Sequence, residues 1–255
     1  MPNYLKVIQL SDTHLFADDE SEMKGVKSNL RFKTVIEQIY AEELTDTDLI
    51  FLTGDLSQDE TEQSYQKLVD SLAPFHIPVY WIPGNHDHLP TMESVFKKAN
   101  NFSRVHELIK NGWKFIFLNT KLDRSVEGYL ANSQLQILQE RIDATEENTK
   151  IAIVMHHHPI EVHTPLIDQF ILKNKAEFWD MISGTPVELV ICGHVHGDYK
   201  IKYNNIMLES APATCLQWQK GTKNLIIEPE IGYKIYLFDQ RGYQSRTKLW
   251  RCSKG

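Results

Sequence analysis

The chain predicts an α/β fold with strands and helices in alternation, and three features carry that expectation. Short apolar runs of strand character recur along the sequence, amphipathic helical stretches lie between them, and no Pro/Gly/Ser-rich linker interrupts the 255 residues. Strands this apolar are buried on both faces, so helices are expected to cover both sides of a sheet. With 42% hydrophobic residues, a single domain over residues 1–255 can bury a substantial core, with residues about 198–250 as its β-rich C-terminal part.

The elements follow in order. "YLKVIQL" (4–10) is a strand leading into "SDTHL". Residues 28–44 predict a helix, with Leu30, Phe32, Val35, Ile36, Ile39, Tyr40 and Leu44 forming one broad apolar stripe. "DLIFLT" (48–53) leads into "GDLSQDE", residues 59–72 are helical, and "PVYWI" (78–82) leads into "PGNHD". "KFIFLNT" (114–120) leads into "KLDR", and a helix over 133–147 opens on "SQLQ", a capping-box pattern. "KIAIVM" (150–155) leads into "HHHP" and "VELVIC" (187–192) into "GHVHG". Two hairpins close the chain, over 198–210 with its turn at Asn204-Asn205 and over 232–250 with its turn near Arg241-Gly242.

Net charge is −7 without a Lys/Arg cluster, which argues against nucleic-acid binding by phosphate neutralisation. The N-terminal "MPNYLKVIQLSDTH" has no basic region, long apolar stretch or small-residue cleavage site, so it is no signal peptide. No apolar run approaches the ~18 residues of a membrane span. Cys192, Cys215 and Cys252 are too few and scattered for a disulfide framework, and a cytoplasmic location is expected.

Chemistry gathers at the strand ends. Asp12-x-His14, Gly54-Asp55, Gly84-Asn85-His86-Asp87, His156 and Gly193-His194-x-His196 each follow an apolar strand. Carboxyl ends of strands in a buried sheet open into a common crevice, so these residues are expected to converge. Two carboxylates, an amide oxygen and four imidazoles suit hard-to-borderline divalent metals. Seven ligands are too many for one tetrahedral ion and suit two ions sharing a carboxylate. Gly54, Gly84 and Gly193 allow the tight turns that bring the following side chain to the metals.

These blocks resemble those of the calcineurin-like metallophosphoesterases: D-x-H, G-D, G-N-H-[DE], H and G-H-x-H, all intact here. The resemblance spans roughly residues 5 to 240. "TGDLSQDETEQSYQ", "MHHHP", "LIDQFILKN", "CGHVHGDY" and "SAPATCLQW" are similar to the class III cyclic-nucleotide phosphodiesterases, the bacterial 3′,5′-cyclic AMP type. The resemblance implies a four-layer α/β/β/α sandwich. It implies that Asp12, His14 and His196 bind one metal and that Asn85, His156 and His194 bind the other, with Asp55 bridging. Mn²⁺ or Fe²⁺ is expected, and Zn²⁺ also tolerates this donor set.

His86 is implied to be the acid that protonates the departing oxygen, with Asp87 orienting neighbouring groups. Asn85, His86 and His196 are expected to face the substrate phosphate, and Asp55 to be essential to catalysis through the metals. The implied reaction is attack by a metal-bridging hydroxide on a 3′,5′-cyclic nucleotide, opening the ring to a 5′-monophosphate. Two divalent ions set against Asp12, Asp55 and a hydroxide leave a small positive excess, which suits a monoanionic diester. Linear diesters, pyrophosphates or monoesters are the competing substrates, and a metal-free protein-binding scaffold is the competing class.

One departure is Leu166, where relatives often carry Trp near the substrate mouth. His157 and His158 are read as phosphate contacts or as packed residues, and His88 and His163 as lining the mouth. His76 and His106 are read as surface residues, Cys192 and Cys215 as packing, and Asn174 as structural. Asp123 and Arg124 are read as a loop salt bridge. Trp218, Tyr233, Tyr236 and Phe238 form either a homodimer surface, since relatives pair, or cover for a sheet edge.

Overall fold

Every side chain of β1 (Leu5–Leu10) is buried, because the strand has neighbours on both edges and a packed layer on each face. The structure is a computed structural model that describes residues 4–252. β1 pairs in parallel with β2 (Leu49–Thr53). On that side follow β3 (Val79–Ile82) and the two-residue β4 (Phe102–Ser103), both parallel. On the other side the antiparallel hairpin of β13 (Glu230–Asp239) and β14 (Gly242–Arg251) completes a six-stranded sheet.

A second six-stranded sheet is built around parallel β6 (Trp113–Phe117), β7 (Lys150–Val154), β8 (Val187–Cys192) and β10 (Ile206–Ser210). Its edges are antiparallel: β5 (Glu107–Lys110) beside β6, and β9 (Tyr199–Tyr203) beside β10. Short β11 (Gln217–Trp218) and β12 (Ile227–Glu228) pair separately. Both hairpins lie where expected. Asn204 and Asn205 adopt left-handed φ values of 47° and 67° in the first, as a two-residue hairpin turn requires.

The two sheets face one another, as the four-layer sandwich implied by the resemblance requires, and only the reading of a single sheet with helices on both faces is corrected. Val7, Phe51 and Tyr236 of the first sheet pack with Trp113, Phe115 and Val154 of the second in one core. Phe51 meets Phe115 and Phe117 edge to face at centroid distances of 5.3 and 5.2 Å. The outer face of the first sheet carries α1 (Ser28–Glu42), α2 (Glu62–Leu72) and α3 (Leu89–Phe96). That of the second carries α4 (Asn132–Asp143) and α6 (Lys175–Ile182), while α5 (Pro165–Asp168) is a single turn in the loop between β7 and α6. The layers are α/β/β/α, with helices on one face of each sheet. No helix among the described residues is long and apolar enough to cross a membrane.

Two local expectations need correction. In α1 only Phe32, Val35 and Ile39 of the apolar stripe are buried, while Leu30 and Tyr40 are 57% and 61% exposed. The helix touches the sheet along a single ridge. In α4 the N-cap is Ala131, without a side-chain cap, so Ser133 falls inside the first turn. The entry is set upstream instead: Asn174 accepts from the Leu130 N–H at 3.0 Å and donates to its carbonyl at 2.9 Å. This is the structural role expected of Asn174.

A buried charge cluster ties the sheets together behind the core. Glu209 of β10 is fully buried, with Lys234 of β13 at 2.9 Å, Lys200 at 2.8 Å and the Tyr243 hydroxyl donating at 2.8 Å. Burial alone would raise the Glu209 carboxyl, but Lys234 and Lys200 overcome it and hold the group below its ordinary value of 4.5. A carboxyl depressed in the folded state stabilises above its unfolded value and loses that contribution as pH falls through the folded one. Unfolding midpoints in urea should therefore decline below about pH 4.5 in the wild type. In Glu209→Gln the decline should be shallower and the midpoint at pH 7 lower, because the Lys234 ammonium loses a buried partner. Parallel pH curves for the two proteins would remove the assignment.

Candidate metal centre

The carboxyl ends of the two sheets meet. The Gln9 amide of β1 donates to the Cys192 carbonyl of β8 at 2.9 Å, and His156 after β7 reaches the Thr53 carbonyl of β2 at 2.7 Å. The loops leaving β1, β2, β3, β7 and β8 thus share one space, and they carry all seven candidate ligands. Asp55 lies at its middle. Its Oδ2 is 3.8 Å from His14 Nε2 and its Oδ1 is 3.4 Å from His156 Nε2. On one side His14 Nε2 and His196 Nε2 lie 3.1 Å apart, and His196 Nε2 is 3.4 Å from Asp12 Oδ1. On the other side His156 Nε2 is 3.2 Å from Asn85 Oδ1, and the His156 and His194 rings are 5.1 Å apart.

The outer nitrogens explain why the inner ones point inward as lone pairs. His14 Nδ1 donates to Gln58 Oε1 at 2.8 Å, His196 Nδ1 to the Leu216 carbonyl at 3.0 Å and His156 Nδ1 to the Thr53 carbonyl at 2.7 Å. Each acceptor places the ring proton outward and presents Nε2 to the interior, the arrangement by which second-shell groups orient metal ligands. Two buried imidazole lone pairs at 3.1 Å repel unless a cation lies against both. Among the described residues His194 Nε2 has no hydrogen-bond partner although it is buried. This donor set fits divalent cations.

Electrostatics point the same way. Burial alone would raise the Asp55 carboxyl, but His156 and neighbouring rings hold it well below the usual carboxylate range. His156 would be lowered by burial, and Asp55 instead pushes it up to about 9. Asp12 is pushed up, by burial first and then by the Asp55 charge. His194 and His196 are held neutral by burial. The centre demands positive charge that its own side chains supply only in part.

The backbone is strained where the candidate ligands sit. Asp12, His14, Asp55, His194 and His196 all have φ between 43° and 69°, the left-handed region that non-glycine residues rarely adopt. Such strain persists only where surrounding structure over-determines it, and it concentrates at functional sites. Asp87 is part of that support: Oδ1 accepts from the Leu56 and Ser57 N–H groups at 2.9 and 3.1 Å, and Oδ2 from the Gly84 N–H at 2.8 Å. It pins the turn after β3 to the turn after β2.

Gly54 has φ 91°, and a Cβ there would lie 2.5 Å from His156 Nδ1 and 2.6 Å from the Gly84 nitrogen. Gly84 and Gly193 are needed for close approach, to Asp55 and to Ser11 with Thr53, and not for a left-handed turn. Gly54→Ala should lower stability by roughly 2–4 kcal/mol and displace His156. Guanidinium unfolding and metal analysis would show it; an unchanged midpoint would contradict the packing.

Other residues fall into place around this centre. His86 is half-buried, its N–H donating to Asp55 Oδ1 at 2.8 Å and its ring centroid 5.0 Å from that of His14. His157 and His158 are buried behind His194, at ring distances of 4.6 and 5.6 Å. His157 is held by Thr120 Oγ1 at 2.7 Å, and His158 lies 3.5 Å from Asp168. Cys215 Sγ is 3.9 Å from His196 Nδ1, a packing contact. His76, His88, His106, His163, Asp123 and Arg124 are exposed.

Trp218 stacks on His196 with centroids 5.0 Å apart, and Tyr233, Tyr236 and Phe238 are fully buried in the sheet cores. These four aromatics therefore form no dimer surface. Tyr233, Tyr236 and Phe238 face inward because β13 is an interior strand of its sheet, and Trp218 of β11 is covered by its stack on His196. Sequence reasoning missed Gln58, Lys121 and the Thr53 and Leu216 carbonyls. Of these only Gln58 left a signal, three residues after Asp55 on the same turn.

A two-sheet sandwich that gathers aspartate, asparagine and histidine at adjoining strand ends defines a metal-dependent phosphoester hydrolase. Residues 5–198 match the calcineurin-like phosphoesterase family model, and the chain belongs to that family. It is 34% identical, over 89% of its length and 82% of the relative's, to a protein of Vibrio vulnificus named 3′,5′-cyclic adenosine monophosphate phosphodiesterase CpdA. It is 36% identical, over 93% and 95% respectively, to a probable cyclic nucleotide phosphodiesterase of Coxiella burnetii. A dimetal phosphatase from Danio rerio shares the fold with a TM-score of 0.67 at 11% identity, over 95% of this chain and 98% of that one.

Proposed function

We propose that the chain hydrolyses 3′,5′-cyclic AMP to the 5′-monophosphate at a binuclear centre. Asp12, His14 and His196 would hold one divalent cation and Asn85, His156 and His194 the other, with Asp55 shared. The observation that carries this reading is the position of Asp55, with one oxygen 3.8 Å from His14 and the other 3.4 Å from His156. The choice of substrate is supported by relatives that carry cyclic-nucleotide phosphodiesterase names along most of the chain. The mixed nitrogen and oxygen donors suit Mn²⁺, Fe²⁺ or Zn²⁺. Cys192, Cys215 and Cys252 are unpaired thiols, which is consistent with a cytoplasmic site of action.

When bound, the two cations acidify water and neutralise charge on the phosphoryl oxygens. The chain's own residues do the rest. His86 donates a proton to the departing 3′-oxygen. Its backbone N–H on Asp55 and the Asp87 clamp hold that ring against the centre. Lys121 Nζ donates to the Asn85 carbonyl at 2.9 Å and so tethers the same turn from the second sheet. Trp218, stacked on His196 and 8% exposed, shields one flank from water.

The test is product analysis with manganese-loaded protein. 3′,5′-cyclic AMP, 2′,3′-cyclic AMP, bis-p-nitrophenyl phosphate and p-nitrophenyl phosphate are compared. Preferred turnover of 3′,5′-cyclic AMP to 5′-AMP is expected. Preference for the aryl monoester would overturn the substrate, and hydrolysis indifferent to chelator would overturn the centre.

A further inference from the structure

The first turn of α1 breaks a local rule. Ser and Asn favour the N-cap, where their oxygens accept from the helix's free N–H groups. Here the N-cap is Lys27, without a side-chain cap, and Ser28 and Asn29 fall one and two positions inside the helix. Their side chains engage loops instead. The buried Ser28 hydroxyl donates to the His14 carbonyl at 2.6 Å. Asn29 Oδ1 accepts from the Phe16 N–H and Asn29 Nδ2 donates to the Phe16 carbonyl, both at 2.9 Å. Arg31, half-buried, donates from Nη1 to the Cys215 carbonyl at 2.8 Å.

All three side chains serve one half of the candidate centre. His14 is held from both sides, because its own N–H donates to the Asp55 carbonyl at 3.0 Å. The loop that Arg31 holds wraps His196. The Leu216 carbonyl accepts from His196 Nδ1 at 3.0 Å, and the Trp218 N–H donates to the His196 carbonyl at 3.1 Å. His14 and His196 have φ of 44° and 43°, and such strain relaxes unless neighbouring groups hold it. Among the described residues, no hydrogen bond runs from Ser28, Asn29 or Arg31 to Asn85, His156 or His194. His156 takes its direction from the Thr53 carbonyl.

We propose that the first turn of α1 positions the Asp12/His14/His196 half, with Arg31 a positioning residue that acts on His196 through Cys215 and Leu216. The proposal rests on the two-cation reading above and adds a device that serves only one of the two cations. Local rules are broken where function requires it, and here a helix start without a side-chain cap frees its polar groups to place candidate ligands. Without the Arg31 hydrogen bond the Leu216 carbonyl is less firmly held, so the His196 ring loses its fixed direction while His156 keeps its own. Asp55 is common to both halves, so the effect is read as a difference between them.

The test follows the ring nitrogens of protein labelled with ¹⁵N-histidine during titration with diamagnetic Zn²⁺, for wild type, Arg31→Met and Arg31→Lys. Removing an outer group that orients a metal ligand costs about 10–100-fold in metal affinity. Arg31 acts one group further out and belongs at the lower end. Arg31→Met should need about ten-fold more Zn²⁺ at His14 and His196, and less than about three-fold more at His156 and His194. Arg31→Lys keeps a donor and should recover most of the difference. In the metal-free protein the His196 Nδ1–H resonance should shift in Arg31→Met while that of His156 stays. Equal losses at both halves, no loss at either, or an unmoved His196 resonance overturns the proposal. If Arg31→Met does not fold, Ser28→Ala carries the test, and a loss no greater at His14 than at His156 overturns it. Failure of the two-cation reading shows separately, as no Zn²⁺ response at any of these rings in wild type. The metal-free resonance reads the Arg31 tie without a cation.

Discussion

Asp55→Asn should bind fewer than one metal equivalent per chain and lose on the order of 10³-fold or more in kcat/KM, beyond the ~10²–10³ typical of one lost electrostatic contact. The reason is position. Asp55 places one oxygen beside His14 and the other beside His156, so its charge serves both halves at once. The substitution is structurally mild. Asn tolerates the left-handed φ of 53° at this position, and its amide oxygen can still accept the His86 N–H. The change leaves the His156 ring, which Asp55 pushes up to about 9, without its buried carboxylate partner, so the metal-free variant should unfold at lower denaturant than metal-free wild type. Elemental analysis, circular dichroism and kinetics together check this. A variant with two metals and wild-type rate would remove Asp55 from the centre.

His86→Ala should keep both metals and fall by about 10²–10⁴-fold on cyclic nucleotides, the usual contribution of a general acid. The half-buried ring contributes no lone pair to the pairings around Asp12 or His156, so its removal leaves those contacts in place. The diagnostic is the leaving group: p-nitrophenolate departs without a proton, so bis-p-nitrophenyl phosphate should be affected far less than a dialkyl diester. Comparable losses on both would assign His86 a binding role.

Much of the fold and nearly all of the candidate centre were legible in the sequence. The apolar runs ending in Asp12, Asp55, Asn85, His156 and His194 marked their strands because buried parallel strands are apolar throughout. The polar residues after them stood out against that background. The two hairpins were legible because Asn204-Asn205 and Arg241-Gly242 have turn chemistry. The apolar stripe of α1 and the "SQLQ" pattern misled, because an exposed Leu30 and a buried Ile39 look alike in composition. An anchor such as Asn174 on Leu130 lies 44 residues from its partner.

The sequence by itself determined which candidate donors the chain carries and at which strand ends they lie. Only the tertiary structure decided how those donors are presented. The Thr53 and Leu216 carbonyls and the Gln58 amide set the direction of each imidazole lone pair. The face of one sheet, and not a helix, covers the inner side of the other. Local pattern reports conformational preference and burial, because those depend on near neighbours. Ring orientation, left-handed strain at five candidate ligand positions and the placement of Asp55 between His14 and His156 depend on groups brought together from distant parts of the chain.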